Sequence, residues 1–595
     1  MRRRSLFGGL AAVLVGATGG FWPFSLAQAS GSVSRRLRPS DPGWPDAATW
    51  GRLKDALGGR LFPGHSLFAA CRDDVGSAHC ADVESLIRNP FYIGDQDGGT
   101  QVSGWLDAWA PSPSAFVVEA RQTSDVVAAV NFARQHNLRL VVKGAGHSYQ
   151  GTSNAPDSLL VWTRRMNAVT VHEAFAPRGN EAEPGPAVTA GAGAVWIDLY
   201  DAVTTKAGRY VQGGGCADVG VAGLIQSGGF GVHSKGFGTA ASSLLEAEIV
   251  TADGSVRVVN AHTHPDLFWA IKGGGGGSFG VVTRLTLRTH ALPEYFSWSW
   301  GKVRATSDRA FRDLLEHFSA FYAQHLFNPH WGEQVHVGPG NLLEVSMACQ
   351  GLDPDAIKAV WKPFHAWIEA SPEDYEILDP PGAMPQIARN AWAVSTNRNF
   401  ERDMRPGAPA HHGWAKGDQG EVGAFLHGYD SVWLPASLLR TPRVLADGLL
   451  AASRFQMVRL FFNKGLAGAT DAVIAGALDT ATNPDVTQAF ALAIIADGQG
   501  PAYPGQPGAH LDLEAARRNA HAIASASAAL RRIAPGAGSY VSESDYFNPD
   551  WRTAFWGTNY PRLSAVKRKY DPSSLFFVHH GVGAEDWSAD GFERV

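Results

Sequence analysis

Two glycine-framed segments carry side chains that can do chemistry. In Lys143-Gly144-Ala145-Gly146-His147-Ser148, two glycines follow a β-branched run, so successive backbone N–H groups can turn toward an anion. Lys143 would add charge, Ser148 a hydroxyl donor, and His147 would sit beside the ligand. The second runs from Gln212-Gly213-Gly214-Gly215-Cys216-Ala217-Asp218-Val219-Gly220 through Gly223 to Ser227-Gly228-Gly229-Phe230-Gly231. That glycine density costs conformational entropy, which suits a backbone pressed against a flat ligand. Cys216 would lie against that ligand, and a thiolate near cationic or N–H groups is a nucleophile.

Other matches fail on context. Gly275-Gly276-Gly277-Ser278-Phe279-Gly280 satisfies both the dinucleotide fingerprint and, from Gly276, the nucleophile-elbow pattern. Both patterns need a strand before and a helix after. Here a helix-like segment precedes and a β-branched strand follows, so neither a nicotinamide site nor a Ser278 hydrolase is expected. The pairs His262/His264, His411/His412 and His579/His580 have no carboxylate at ligand spacing, and no CxxC occurs. No metal is expected.

The elements that must position these segments follow from periodicity. Ala115–Glu119 and Leu138–Val142 read as strands around an amphipathic helix capped by Thr123 or Ser124. Further strands at 158–162, 187–190 and 281–287, a helix at 194–207 and a hairpin around Asp253-Gly254 give an α+β lobe. We assign 111–290 to it, 291–540 to a second lobe with Trp-rich strands and helices at 309–324 and 355–370, and 541–595 to a C-terminal segment. Residues 30–110 read as an irregular N-terminal extension.

The first 29 residues, with Arg2, Arg3 and Arg4, an apolar run and Ala27-Gln28-Ala29, read as a signal peptide of twin-arginine type. Export would make the product periplasmic or secreted, and loss of three arginines takes the formal charge from −5 to −8. Cys71 and Cys80, nine apart in a polar stretch, are the disulfide candidates, and Cys349 reads as a buried apolar residue. With 45% hydrophobic and 18% charged residues the chain is globular, and no basic stripe suits nucleic acid. Beyond the leader no stretch could span a bilayer, so no stable membrane insertion is expected.

Together, Lys143–Ser148, Cys216–Val221, Asp266–Gly280 and Phe555-Trp556-Gly557-Thr558-Asn559-Tyr560 through Asp571-Pro572 resemble the berberine bridge enzyme-like oxidases of the vanillyl-alcohol-oxidase superfamily. The resemblance implies a two-lobed PCMH-type FAD-binding fold, with a substrate lobe built on an antiparallel sheet covered by helices. It implies FAD bonded through its 8α-methyl to His147 and through C6 to Cys216. Lys143, Gly144, Gly146, Ser148, Val219, Gly220, Gly223, Gly229 and Gly231 then fall to the cofactor, with Asn559 and Tyr560 of the C-terminal motif. Family members carry a base in a Tyr-x-Asn-Tyr-x-Asp pattern. Its counterpart here is Tyr540-Val541-Ser542-Glu543-Ser544-Asp545, which makes Glu543 the candidate base, with Tyr540 and Asp545 beside it. The expected reaction is oxidation of an alcohol or saccharide with O2 as acceptor, a quinone- or cytochrome-linked dehydrogenase being the alternative and a flavin-free glycan-binding module a remote one.

Overall fold

The computed structural model describes residues 35–179 and 183–595; the leader read at 1–29 lies outside them. Near the start of the first lobe, strands Leu61–Pro63, Phe116–Glu119, Leu159–Trp162 and Leu140–Lys143 form a small sheet in that order. The last three run parallel. Helix Thr123–Gln135 packs on it through Val126, Ala129, Val130 and Ala133, and Asp125 closes its N-terminal turn. A second, five-stranded antiparallel sheet is ordered Val256–Asn260, Leu244–Val250, Val281–Arg288, Gly185–Gly191, Val169–Phe175. Asp253 makes the turn of the expected hairpin, accepting from Ser255 N at 3.0 Å. The helix expected at 194–207 is one α-turn, Trp196–Leu199, continued as a π-helix over Tyr200–Lys206. Within it Tyr200 stacks on Trp392, and its hydroxyl donates to Gly214 O at 2.5 Å.

The third sheet has eight strands, from Tyr375–Met384 through Phe296–Ala305, Leu342–Gln350, Trp331–Gly338, Val458–Phe461, Ala489–Gln499 and Phe425–Pro435 to Gly104–Trp105. It is antiparallel except at its last pair. Helices Asp308–Phe321, Pro442–Ser453 and Leu513–Ile533 cover one face, where alternate strand residues such as Val335, Val337, Leu460 and Ala493 meet Phe311, Leu449 and Leu530. The opposite face carries Tyr429, Trp433, Phe461 and Ile494, packed against Phe230 of the second glycine segment and Tyr540.

The extension is more ordered than its composition suggests. Helices Ala47–Ala56, Ala69–Asp73, Ala78–Leu86 and Pro90–Gly94 lie within 30–110, each short enough to escape a periodicity reading. Trp50, Leu53 and Leu57 join the core under helix Thr123–Gln135. Cys71 and Cys80 are disulfide-bonded; Cys349 is buried and, like Cys216, free. Among the described residues no helix is long and apolar enough to cross a membrane.

The C-terminal segment docks on the first lobe through a buried charge pair. Lys567 Nζ donates to Asp571 Oδ2, Ser278 O and Phe576 O, each at 2.7 Å, while Asp571 accepts from Leu575 N and Phe576 N. Neither side chain exceeds 4% exposure, so removing one charge strands the other. Asp571→Asn is therefore expected to cost about 3–5 kcal/mol, read as a lower melting temperature in a thermal unfolding scan.

Candidate functional site

The first glycine loop leaves the sheet at Lys143, and Gly146 takes a φ of 82° that a side chain would strain. Lys143 does not serve an anion as expected. Its ammonium donates to the carbonyls of Gln96 at 2.8 Å, Gly99 at 3.0 Å and Asp97, which engages all three protons. Burial pulls it down to about 7. Lys143 thus ties the N-terminal extension beneath the loop, and Gln101 N donates to Gly146 O at 3.0 Å beside it. Ser148 Oγ accepts from Thr152 Oγ1 at 2.8 Å. His147 Nε2 bonds the buried carboxylate of Asp218, two residues after Cys216, which leaves Nδ1 for another partner.

The second glycine segment is shaped by close approach. A Cβ on Gly213 would stand 2.1 Å from the Trp196 ring, and one on Gly231 the same distance from Gly213 O. A Cβ on Gly220 would meet Ala145 N at 3.4 Å, so the two glycine segments touch. Gly229 has φ 72° with Leu224 against it. Gly215 and Gly223 have open space where a Cβ would be, as Gly144 nearly has. Val219 is half-buried, its carbonyl accepting from Trp196 N at 3.1 Å.

Facing Cys216 are groups from the second lobe that the sequence did not single out. Asp418 and Glu421 come from the turn before strand Phe425–Pro435, Glu333 from strand Trp331–Gly338, and Asn463 and Lys464 from the end of strand Val458–Phe461. Asp418, then burial, then Glu421 and Asp218 push the Cys216 thiol well up, against the opposing pull of Lys464. Lys464 supplies a cation of the kind a ready thiolate needs, but the carboxylates and burial outweigh it. Asp418 is itself pushed up to about 7 by burial, then by Glu421, Asp218 and Glu333. Glu333 reaches about 7 through burial, with Lys464 opposing and Glu543 adding to the rise. Tyr149 and Tyr429 stack 5.0 Å apart, their phenols pushed up first by burial. Cys216, Glu333, Asp418, Tyr149 and Tyr429 are half-buried, Glu421 is exposed, and Asn463 and Lys464 are buried beneath them, so together they line a cleft open to solvent at Glu421.

The candidate base motif divides. Glu543 faces the cleft, ion-paired with Lys464, its N–H donating to Tyr540 O at 2.9 Å in a tight turn. Tyr540 turns into the apolar cluster, edge-on to Phe230 at 5.0 Å. Asp545 Oδ1 accepts from Phe547 N at 3.1 Å, with Asp430 and Arg531 as its charged neighbours. Asn559 donates to Thr482 O at 2.9 Å, and Tyr560 donates to Glu585 at 2.6 Å. The polar groups of these last two serve the protein, where a cofactor contact was expected. Ser278 is buried with its Oγ unpartnered, and lies between helix Pro265–Ile271 and strand Val281–Arg288.

His411 and His412 acquire the carboxylate their sequence neighbourhood lacks. Each Nε2 stands 2.9 Å from Asp198 Oδ1, and Asp198 Oδ2 accepts from Val195 N at 3.1 Å. The donors are close enough together for a metal, but His412 Nδ1 is buried without the acceptor a metal-bound imidazole normally has. Hydrogen bonds satisfy Asp198, and the trio anchors the chain just ahead of Asp418.

Asp418 holds the thiol protonated by charge, so removing that charge lowers the thiol's pKa and exposes more thiolate at a given pH. In flavin-free protein at pH 7, Asp418→Asn should speed alkylation of Cys216 by iodoacetamide about tenfold, measured by mass spectrometry of the Cys216 peptide. An unchanged rate would show that Asp418 does not control the thiol.

The residues fit a bound flavin. Glycine backbone forms two touching strips, His147 Nδ1 is unengaged, and Cys216 reaches the same cleft. Comparison with known proteins agrees. Residues 113–260 match the family model for an FAD binding domain, and 539–583 match the model "berberine and berberine like". An FAD-linked oxidoreductase, easE of Claviceps purpurea, is 31% identical over 493 residues, covering 80% of this chain and 93% of that one. The VAO-type flavoprotein oxidase VAO615 of Thermothelomyces thermophilus is 28% identical over 95% of both chains. A crystal structure of MtVAO615 from Myceliophthora thermophila superposes with TM-score 0.76 at 26% identity, over 94% of this chain and all of that one. A glucooligosaccharide oxidase from Acremonium strictum, described with 6-S-cysteinyl, 8α-N1-histidyl FAD, shares the fold at TM-score 0.61 and 18% identity, over 89% of this chain and 99% of that one. This chain belongs to the berberine bridge enzyme-like FAD-linked oxidoreductases of the vanillyl-alcohol-oxidase superfamily.

Proposed function

We propose that this protein is an exported oxidase that holds FAD by two covalent bonds, through His147 and Cys216, and oxidises a CH–OH group of an alcohol or saccharide with O2 as acceptor. The observation that carries this reading is the convergence of His147 and Cys216 on one cleft, with Asp218 between them. When bound, FAD supplies the hydride acceptor and the reaction with O2 that yields H2O2. Asp218 fixes the His147 ring by its Nε2 and so presents Nδ1. The carboxylates around Cys216 hold its thiol protonated, so His147 would be the readier of the two residues to hold the flavin and Cys216 the slower. Tyr149 and Tyr429 wall the cleft against water, and the Lys464–Glu543 pair supplies fixed charge at its second-lobe side. The oligosaccharide oxidase with a doubly linked flavin supports the substrate class and the linkage. The twin-arginine-like leader and the Cys71–Cys80 disulfide support export.

Double attachment has a direct check. Acid-precipitated, washed wild type should stay yellow, each of His147→Ala and Cys216→Ala should keep flavin through the remaining bond, and the double variant should release all of it. Free FAD in the wild-type supernatant would remove both bonds.

The family resemblance implies that Val219, three residues after Cys216, lies at the flavin's reactive edge, where O2 needs a small open space. Val219→Leu adds a methylene there and is expected to slow air reoxidation of the reduced protein at least tenfold, with anaerobic reduction by substrate nearly unchanged. Stopped-flow absorbance separates the two half-reactions. If reduced wild type lasts minutes in air yet reacts at once with a quinone, the acceptor is not O2.

A further inference from the structure

Strand Trp331–Gly338 breaks its own alternation at Glu333. Trp331, Val335 and Val337 point into the helix-covered core, and a regular strand would send residue 333 there too. Glu333 instead takes φ 62°, in the left-handed region that a glutamate adopts only under constraint. Among the described residues it is the only non-glycine inside a named strand to do so. Its backbone stays in the sheet, its carbonyl accepting from Phe462 N at 2.9 Å.

The deflection has a definite destination. The preceding Gly332 lies so close to the second glycine segment that a Cβ would stand 2.3 Å from Val232 O. Asn463 Nδ2 donates to Gly231 O at 3.1 Å and to Glu333 Oε1 at 3.4 Å, so one amide joins the carboxyl to the Cys216-bearing segment. Asn463 Oδ1 is buried and unpartnered, and faces no donor of the protein. The charged and titratable groups around Glu333 are Lys464 beside Asn463, Glu543 on the 540–545 turn, and Asp418 on the 416–420 turn. Glu543, the base suggested by the motif, is occupied by Lys464. Its carboxylate is committed to that ion pair and is not free to face a substrate hydroxyl.

Resting on the alcohol-oxidase reading, we propose that Glu333 is the proton acceptor of this site, held there by its left-handed backbone conformation, with the Lys464–Glu543 pair setting its charge environment. In balance, the substrate O–H proton passes to the Glu333 carboxylate while the C–H bonding pair leaves as hydride to the FAD; carbonyl product and protonated Glu333 remain, and the proton then leaves to solvent. A base works unprotonated. With its carboxyl at about 7, reduction by substrate must quicken as pH rises through neutrality.

The test uses flavin-loaded enzyme with two readouts. Infrared difference spectra between about pH 5 and 9 should show protonated-carboxyl C=O absorption titrating near neutrality in wild type, part of it lost in Glu333→Gln and the remainder, from Asp418, lost in Asp418→Asn. In anaerobic stopped flow with the substrate that reduces wild type, Glu333→Gln should slow flavin reduction on the order of 100-fold and flatten its pH profile, with flavin content retained. Lys464→Met removes the charge that holds Glu333 down, so the wild-type rise should move to higher pH. Glu333→Gly, for which φ 62° carries no strain, should fold at least as stably as wild type and reduce as slowly as Glu333→Gln. A wild-type band that is missing, or that Glu333→Gln leaves unchanged, overturns the proposal with or without a substrate in hand. Wild-type reduction rates and pH profile in both Glu333 variants overturn it equally. If no alcohol or saccharide reduces the wild type, the alcohol-oxidase reading falls, while the infrared band still decides whether Glu333 carries the proton.

Discussion

Backbone meeting backbone is the constraint on which the site depends. Gly213 lies under the Trp196 ring, Gly231 against the Gly213 carbonyl, and Gly220 against the nitrogen of Ala145. No side chain fits at the first two, because a Cβ would stand 2.1 Å from its neighbour, far inside van der Waals contact. These approaches set the separation of the His147 loop and the Cys216 segment before any side chain acts. The Asp218–His147 bond only fixes a ring whose position the glycines have already chosen. The entropy that so many glycines cost on folding is offset by the core beneath them, where Trp196, Tyr200, Val211 and Val221 are fully buried.

Charge is distributed across the cleft by the same geometry. The first lobe brings Cys216 and Asp218, and the second brings Asp418, Glu421, Glu333, Lys464 and Glu543. Two unit charges 4 Å apart interact by about 4 kcal/mol at an effective dielectric of 20, so such a set cannot be fully ionised at once. One carboxylate, Glu543, has the lysine. Asp418 and Glu333 give way instead, both pushed up to about 7. Burial first, and neighbouring carboxylates after it, thus yield carboxyls able to gain or lose a proton at neutral pH.

The first lobe was legible in the sequence because its chemistry is local. His147 and Cys216 sit in contiguous glycine patterns, and the strand–helix–strand frame around 115–143 follows from period and capping alone. The second lobe contributes single residues from separate strands and turns, and no spacing links Glu333, Asp418 and Lys464 until the sheet forms. One signal was present: Trp331-Gly332-Glu333 sets an acid at a core-facing position of a strand, which a folded protein tolerates only by deflecting it. Lys143 misled for a related reason. A lysine beside glycines reads as an anion ligand, and only the folded extension shows three carbonyls already holding it. Asn559 and Tyr560 belong to a recognisable motif, yet their polar groups bind Thr482 and Glu585, so motif membership located the segment without assigning its contacts.

The extension before residue 110 then has a structural task. Its turn at 96–101 receives Lys143 and Gly146 from below, its Phe91 stacks on His412 at 4.4 Å, and Asp198 ties His412 to the first lobe. One short stretch therefore supports both the loop that carries His147 and the chain that leads to Asp418 and Glu421. The ammonium of Lys143, pulled to about 7 by burial, is compensated by carbonyls of that stretch, by the face of Trp162 at 5.4 Å and by the charge of Asp97. Lose the stretch, and the carbonyls that fix this ammonium directly behind the His147 loop are lost with it. The loop's shape is thus as much a property of the extension as of its own glycines, and the extension belongs to the body that carries His147.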